Sequence, residues 1–147
     1  MIICLTGLIG AGKTTYAINN MQDDDEIIDW DEIKEDFDIK DNKIAKQIIL
    51  DLLADAVKNT EVRTWFSCVF PSKEEQKLLD KANVKYIWVH CGLERSIHNL
   101  RKRNRNNEVD QLDLFFRKNV EILERSTAFI SKYKVKIVAP YAVEERW

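Results

Sequence analysis

Along the 147 residues, short apolar runs alternate with longer stretches of helical period. The runs are Ile2-Ile3-Cys4-Leu5-Thr6, Ile27-Ile28, Val62-Arg63-Thr64-Trp65-Phe66, Tyr86-Ile87-Trp88-Val89 and Val135-Lys136-Ile137-Val138, and these apolar, β-branched or aromatic runs are candidate strands. Between them, Ile44, Ile48, Ile49, Leu52, Leu53, Ala56 and Val57 keep one apolar face over several helical turns, and Leu112, Phe115, Phe116, Val120, Leu123 and Ile130 do the same. Ser72 followed by Glu75, just after Pro71, has the spacing of a capping box that opens another helix. Strands separated by helices predict an α/β fold, with right-handed crossovers and a parallel sheet covered on both faces. In such sheets ligands bind beyond the carboxyl ends of the strands, so chemistry is to be sought there.

No repeat, low-complexity tract or flexible linker interrupts the pattern, and the only prolines are Pro71 and Pro140, so one domain spanning 1–147 is expected. No apolar run approaches the roughly 20 residues of a membrane span, which argues against a membrane partner. The start, MIICLTG, lacks the basic region and long apolar core of a secretory signal, so a cytoplasmic location is expected. Cys4, Cys68 and Cys91 are odd in number and lack metal-ligand spacing, which predicts buried, reduced thiols.

The net charge of -2 hides a segregation. Acidic residues crowd Asp23 to Asp41, whereas Arg95, Arg101, Lys102, Arg103 and Arg105 make a basic segment. Two solvated surfaces would explain this, and so would an acidic metal side facing a basic anion side.

The first strand runs into Gly7-Leu8-Ile9-Gly10-Ala11-Gly12-Lys13-Thr14, which fits the phosphate-loop pattern G-x-x-x-x-G-K-[ST] and precedes a helical segment. Three of the chain's four glycines lie here, at Gly7, Gly10 and Gly12. With Ala11 they allow the backbone to wrap a phosphate closely and turn its N–H groups inward, at the positive end of a helix. Lys13 would reach the β- and γ-phosphates, Thr14 would ligate Mg²⁺ through its hydroxyl, and Thr15 would bond the α-phosphate. A turn that binds nothing does not require the Lys-Thr pair.

The second run ends Ile28-Asp29-Trp30-Asp31, two carboxylates one residue apart at a strand end. Phosphoryl transfer needs a group that orients and deprotonates the acceptor and a negative group that helps hold Mg²⁺. Asp31 and Asp29 can divide these tasks, or both can belong to the acidic surface. Trp30 can fill the sheet edge or stack on a base. Arg101 and Arg105, spaced i,i+4, can point one way toward a transferring phosphate, with Arg103 as a third candidate. A solvated helix end or a nucleic-acid patch is the alternative for this segment. His90 and His98 have no metal-ligand partner at suitable spacing.

In this order, the strand, phosphate loop, acidic second strand end and arginine-rich segment resemble the P-loop kinases over nearly the whole chain. The resemblance is closest to the polynucleotide 5′-hydroxyl kinase branch and its nucleotide-kinase relatives. It implies a three-layer α/β/α P-loop fold with a five-stranded parallel sheet in the order 2-3-1-4-5 and an arginine-bearing helical lid over about residues 93–110. It implies Asp31 as general base and, three residues later, a cation for the substrate phosphate. Lys34 stands there in place of an arginine, keeping the charge without the bidentate fork. It also implies adenine contacts near Ala139 and Pro140. Where such kinases often carry an aspartate at the end of the third strand, this chain has Ser67, so metal support would come from Thr14, water and the Asp29-Asp31 pair.

The expected activity is therefore an ATP (or other NTP) and Mg²⁺-dependent kinase. Its acceptor would be a nucleic-acid 5′-hydroxyl, a nucleotide or a nucleoside. Catalysis would be carried by Lys13, Asp31, Arg101 and Arg105, acceptor binding by Asp31, Lys34 and Arg103, and metal binding by Thr14 and Asp29. A kinase of another small metabolite and a slow NTP-binding switch remain open.

Overall fold

The computed structural model describes residues 1–36, 41–103 and 112–140, with the backbone alone at residues 35, 36 and 103. Five strands appear in it: β1 (Ile2–Gly7), β2 (Glu26–Asp29), β3 (Thr64–Ser67), β4 (Val84–Val89) and β5 (Lys136–Val138). The helices are α1 (Lys13–Asn20), α2 (Trp30–Asp36), α3 (Asn42–Lys58), α4 (Lys73–Leu79), α5 (Leu93–Arg103) and α6 (Leu112–Tyr133). The strands make one parallel sheet in the order β2-β3-β1-β4-β5, as the resemblance implies. Every residue of the central β1 is buried. That follows from helices covering both faces, and it is why the strand reads as an unbroken apolar run.

Alternation along β1 divides the core in two. Ile3 and Leu5 join Trp65, Ile87, Ala17 of α1 and Ile122 of α6 in one cluster. Ile2 and Cys4 join Ile28, Phe66, Ile33 of α2, Ile49 and Leu53 of α3, and Leu79 of α4 in the other. All three cysteines are free thiols, two of them buried, and Cys4 and Cys68 lie with their Sγ atoms 3.9 Å apart across β1 and the end of β3.

Two helical faces depart from the pattern read in the sequence. In α3 the buried residues are Ala45, Ile49 and Leu53, whereas Ile44 and Leu52 face solvent. In α6 the buried residues are Asn119, Ile122 and Ser126, and Phe116 is exposed. Ile49 and Leu53 are buried as the pattern predicts, Ile48, Ala56, Val57, Leu123 and Ile130 pack against the core, and the other buried positions are taken by Ala45, Ile122 and the polar Asn119 and Ser126. Helix α2 is an addition to the predicted elements. Its start is set by Asp29, whose Oδ1 accepts from the N–H groups of Asp31 and Glu32 as an N-cap. The predicted capping box of α4 is present, with Ser72 and Glu75 exchanging backbone-to-side-chain bonds.

Before β2, Asp25 accepts hydrogen bonds from Arg63 Nε at 2.8 Å and Trp65 Nε1 at 3.0 Å, joining β2 to the start of β3. The Arg63 bonds, outweighing burial, lower the Asp25 carboxyl to a pKa of about 2, below its ordinary 3.8. A carboxyl whose folded pKa is depressed stabilises the protein above its unfolded pKa and ceases to do so as pH falls through the folded one. Asp25→Asn is therefore expected to lower the melting temperature by several degrees at pH 7, with the gap from the natural protein closing as pH drops from about 5 toward 2. Thermal melts across that pH range check this, and a gap independent of pH would contradict it.

Candidate active site

The carboxyl end of β1 delivers the chain into residues 7–12, and α1 begins at Lys13. Gly10 and Gly12 have φ of +83° and +86°, values that L side chains rarely adopt, so the loop needs glycine at both. Gly12 is the N-cap of α1 and offers no side-chain acceptor. Within the loop, Ala11 N–H bonds to Leu8 C=O at 3.1 Å and Tyr16 N–H to Gly12 C=O at 2.9 Å. Among the described residues the N–H groups of Gly10, Gly12, Thr14 and Thr15 have no protein partner. Unpaired N–H groups at the positive end of a helix are donors suited to an anion. Lys13 Nζ lies over the same loop, donating to the carbonyls of Gly7 and Leu8 at 3.0 Å each.

Strand β2 ends beside this loop. Thr14 Oγ1 donates to Asp29 Oδ2 at 2.6 Å, so α1 and the end of β2 are in direct contact. Asp29 is buried and uses its other oxygen to cap α2, which places the exposed Asp31 in the first turn of that helix. The structure thus brings Thr14 into contact with Asp29 and sets Asp31 two residues further on, in the first turn of α2. Thr14 Oγ1 and Asp29 Oδ2 form a hard-oxygen pair that fits Mg²⁺, a cation usually bound through one or two protein oxygens together with waters and substrate phosphates. Among the described residues no group of three or more His, Cys, Asp or Glu is placed to hold a metal by protein ligands alone.

Ser67 ends β3 in register with Asp29 and is buried. The next residue is Cys68, whose thiol burial pushes well above its ordinary pKa, so it adds no thiolate near Lys13. Lys34 sits one turn beyond Asp31, with Nζ 2.8 Å from Asn42 Oδ1 and 5.8 Å from the centre of the Trp30 ring. Trp30 itself is half-buried against the cluster formed by α2, α3 and α4, the edge-filling option. Arg101 is exposed on α5. The Arg103 side chain, Arg105 and the lid beyond residue 103 lie outside the described residues. His90 and His98 are exposed, as are Ala139 and Pro140 after β5.

Two residues at the loop went unnoticed in the sequence. Asn99 of α5 donates to Gly10 C=O at 2.8 Å, and Asn119 of α6 accepts from Ile9 N–H at 2.9 Å. The available signal was an asparagine at helical spacing between Phe115 and Ile122, on an otherwise apolar face. A separate cavity of about 540 Å³, between α4 and α6, is lined by Phe70, Lys73, Lys77, Arg125, Phe129 and Lys132 among others and includes none of the predicted site residues.

No family model matches the chain, and no curated protein does. Solved structures do. A shikimate kinase from Bacteroides thetaiotaomicron aligns with 100% of this chain and 90% of its own at 18% identity and a TM-score of 0.62. A deoxyadenosine kinase from M. mycoides with bound dATP aligns with 95% and 91% at 15% identity and a TM-score of 0.58. The Pnkp1/Rnl/Hen1 RNA repair complex contains a chain that aligns with 82% of this one and 45% of its own, at 14% identity and a TM-score of 0.55. The chain has the three-layer fold of P-loop kinases.

A Cβ on Gly10 would stand 2.7 Å from the Ser96 carbonyl and 3.0 Å from Leu100 Cγ, in a backbone conformation that already disfavours a side chain. Gly10→Ala is expected to cost roughly 1–3 kcal/mol of stability, measurable by denaturant unfolding.

Proposed function

We propose that this protein is an ATP- and Mg²⁺-dependent kinase. Its acceptor is a hydroxyl or phosphate on a nucleotide, a nucleoside or a nucleic-acid 5′ end. The observation that carries this reading is the 2.6 Å contact between Thr14 and Asp29, which sets a phosphate loop directly against a carboxylate pair. A loop that only held a nucleotide would have no use for a second carboxylate, Asp31, exposed beside the first.

In this reading the free loop N–H groups and Lys13 bind the donor's phosphates, Lys13 exchanging its carbonyl partners for phosphate oxygens. Thr14 and Asp29 hold Mg²⁺, which neutralises charge on the phosphate oxygens when bound. Asp31 orients the acceptor hydroxyl and takes its proton as the acceptor oxygen bonds to the γ-phosphorus. The bond from that phosphorus to the β–γ bridging oxygen breaks, and the bridging oxygen leaves on the nucleoside diphosphate. Arg101, with Arg105 and Arg103, meets the charge on the transferring group, and Lys34 meets acceptor phosphate. Ala139 and Pro140 would border the donor base. The chain would act as a single domain in the cytoplasm, consistent with the absence of a helix long and apolar enough to cross a membrane among the described residues.

The fold alone does not choose the acceptor, since it serves a shikimate kinase, a deoxyadenosine kinase and an RNA repair complex. A small-metabolite acceptor is the nearest alternative within catalysis. One observation favours a slow NTP-dependent switch instead: the buried strand end at Ser67 is uncharged, leaving Asp29 as the one carboxylate that touches Thr14 among the described residues.

Labelled ATP offered to 5′-hydroxyl DNA, 5′-hydroxyl RNA, nucleosides, nucleoside monophosphates and small hydroxy acids separates these readings. A labelled acceptor is expected; ATP binding with none labelled would favour the switch. Asp31→Ala is expected to slow transfer by roughly 10²- to 10⁴-fold while ATP affinity is retained, the signature of a lost general base. Equal loss of both would place Asp31 with the metal. Lys13→Ala is expected to weaken both.

A further inference from the structure

The phosphate loop has two edges. Its inner edge keeps N–H groups unpaired, and its outer edge is bonded to side chains from the far end of the chain. Asn119 is fully buried on α6 and spans Ile9 on both sides, with Oδ1 accepting from Ile9 N–H at 2.9 Å and Nδ2 donating to Ile9 C=O at 3.0 Å. The remaining Nδ2 proton goes to Ser96 Oγ at 3.2 Å, and Ser96 in turn donates to Leu93 C=O at 2.7 Å. The direction of every bond in this chain is fixed, because Ile9 N–H requires an acceptor and the Leu93 carbonyl requires a donor. Asn99 adds a bond from α5 to Gly10 C=O at 2.8 Å, and Leu100, also fully buried, packs against Gly10 from the same helix.

A carboxamide that pairs with both the N–H and the C=O of one residue does what a neighbouring strand would do, at a point where the loop has left the sheet. Burying such a group is unfavourable unless its polar atoms are paired, and here all of them are. The consequence falls on the ligand side. With Ile9 and Gly10 tied outward, the peptide units of the loop are held before any anion arrives, and less ordering has to be done on binding.

We propose that Asn119, supported by Asn99, is a positioning residue for nucleotide binding: it presets the phosphate loop through Ile9 and touches no phosphate itself. The inference rests on the reading of this loop as an ATP site. It predicts a loss of nucleotide affinity separable from any loss of stability.

The test measures affinity for a fluorescent mant-ATP and the melting temperature without nucleotide, for the natural protein, Asn119→Ala, Asn99→Ala and Leu53→Ala. Leu53 is fully buried in the cluster formed with α2, α3 and α4, and its truncation lowers stability without touching the loop. Asn119→Ala is expected to weaken mant-ATP binding by about tenfold or more, as losing a paired set of buried bonds implies, while Leu53→Ala stays within about twofold despite a lower melting temperature. Affinity within about twofold for a folded Asn119→Ala would overturn the proposal. If that variant does not fold, Asn99→Ala, which loses a single bond from a half-buried side chain, decides: about threefold weaker binding supports the proposal and unchanged binding overturns it. Failure of the natural protein to bind mant-ATP would overturn the ATP reading itself and this inference with it, a result distinct from normal binding by both variants.

Discussion

The N–H groups of Gly10, Gly12, Thr14 and Thr15 have no protein partner among the described residues, and the region around residues 7–15 is organised around that constraint. Unpaired N–H groups are tolerable only where solvent or a ligand can reach them, and Thr14 and Thr15 at the start of α1 are exposed. The rest of the loop has to be held by other means. Strand β1, buried along its whole length, fixes the entry at Gly7; α1 fixes the exit at Lys13; Asn119 and Asn99 fix the outer edge between them. Gly12 completes the arrangement by being a cap without a side chain, since a serine or aspartate there would bond to the N–H groups that are left unpaired.

The same economy appears at the end of β2. Asp29 is one side chain with two duties, capping α2 through Oδ1 and accepting from Thr14 through Oδ2. A carboxylate bonded on both oxygens has little freedom to rotate, so the orientation of α2, and with it Asp31, is tied to the position of the phosphate loop. Register supports this, because Asp29 at the end of β2 lies beside Ser67 at the end of β3, and Ser67 beside Leu5 of β1, which runs on past them to Gly7 at the loop. The acidic segment, Asp23 to Asp41, runs through the end of β2, and the basic one starts at Arg95 on α5, whose Asn99 and Leu100 hold the loop.

Much of this was legible before the structure. The apolar runs locate all five strands, most plainly the central β1 and its neighbour β3, which are buried throughout between the two layers of helices, and the glycines locate the loop because few other residues tolerate its dihedral angles. Legibility failed where a side chain's role depends on a neighbour distant in sequence. Ile44, Leu52 and Phe116 looked like core and are exposed, while Asn119, which the apolar pattern passes over, is buried. Hydrophobic periodicity ranks side chains by aversion to water, and it is blind to a polar group that finds its partners 110 residues away.

By itself, then, the sequence determined the α/β layering, the glycine loop at the end of the first strand and the types of residue available there, since each of these follows from local pattern and local dihedral preference. Tertiary structure alone decided which of those residues meet. Thr14 touches Asp29 because β2 ends beside α1, and Ile9 is held by Asn119 because α6 passes the loop's outer edge. Contacts of that kind are set by strand order and helix packing, which bring together residues whose separation along the chain carries no trace of their distance in space.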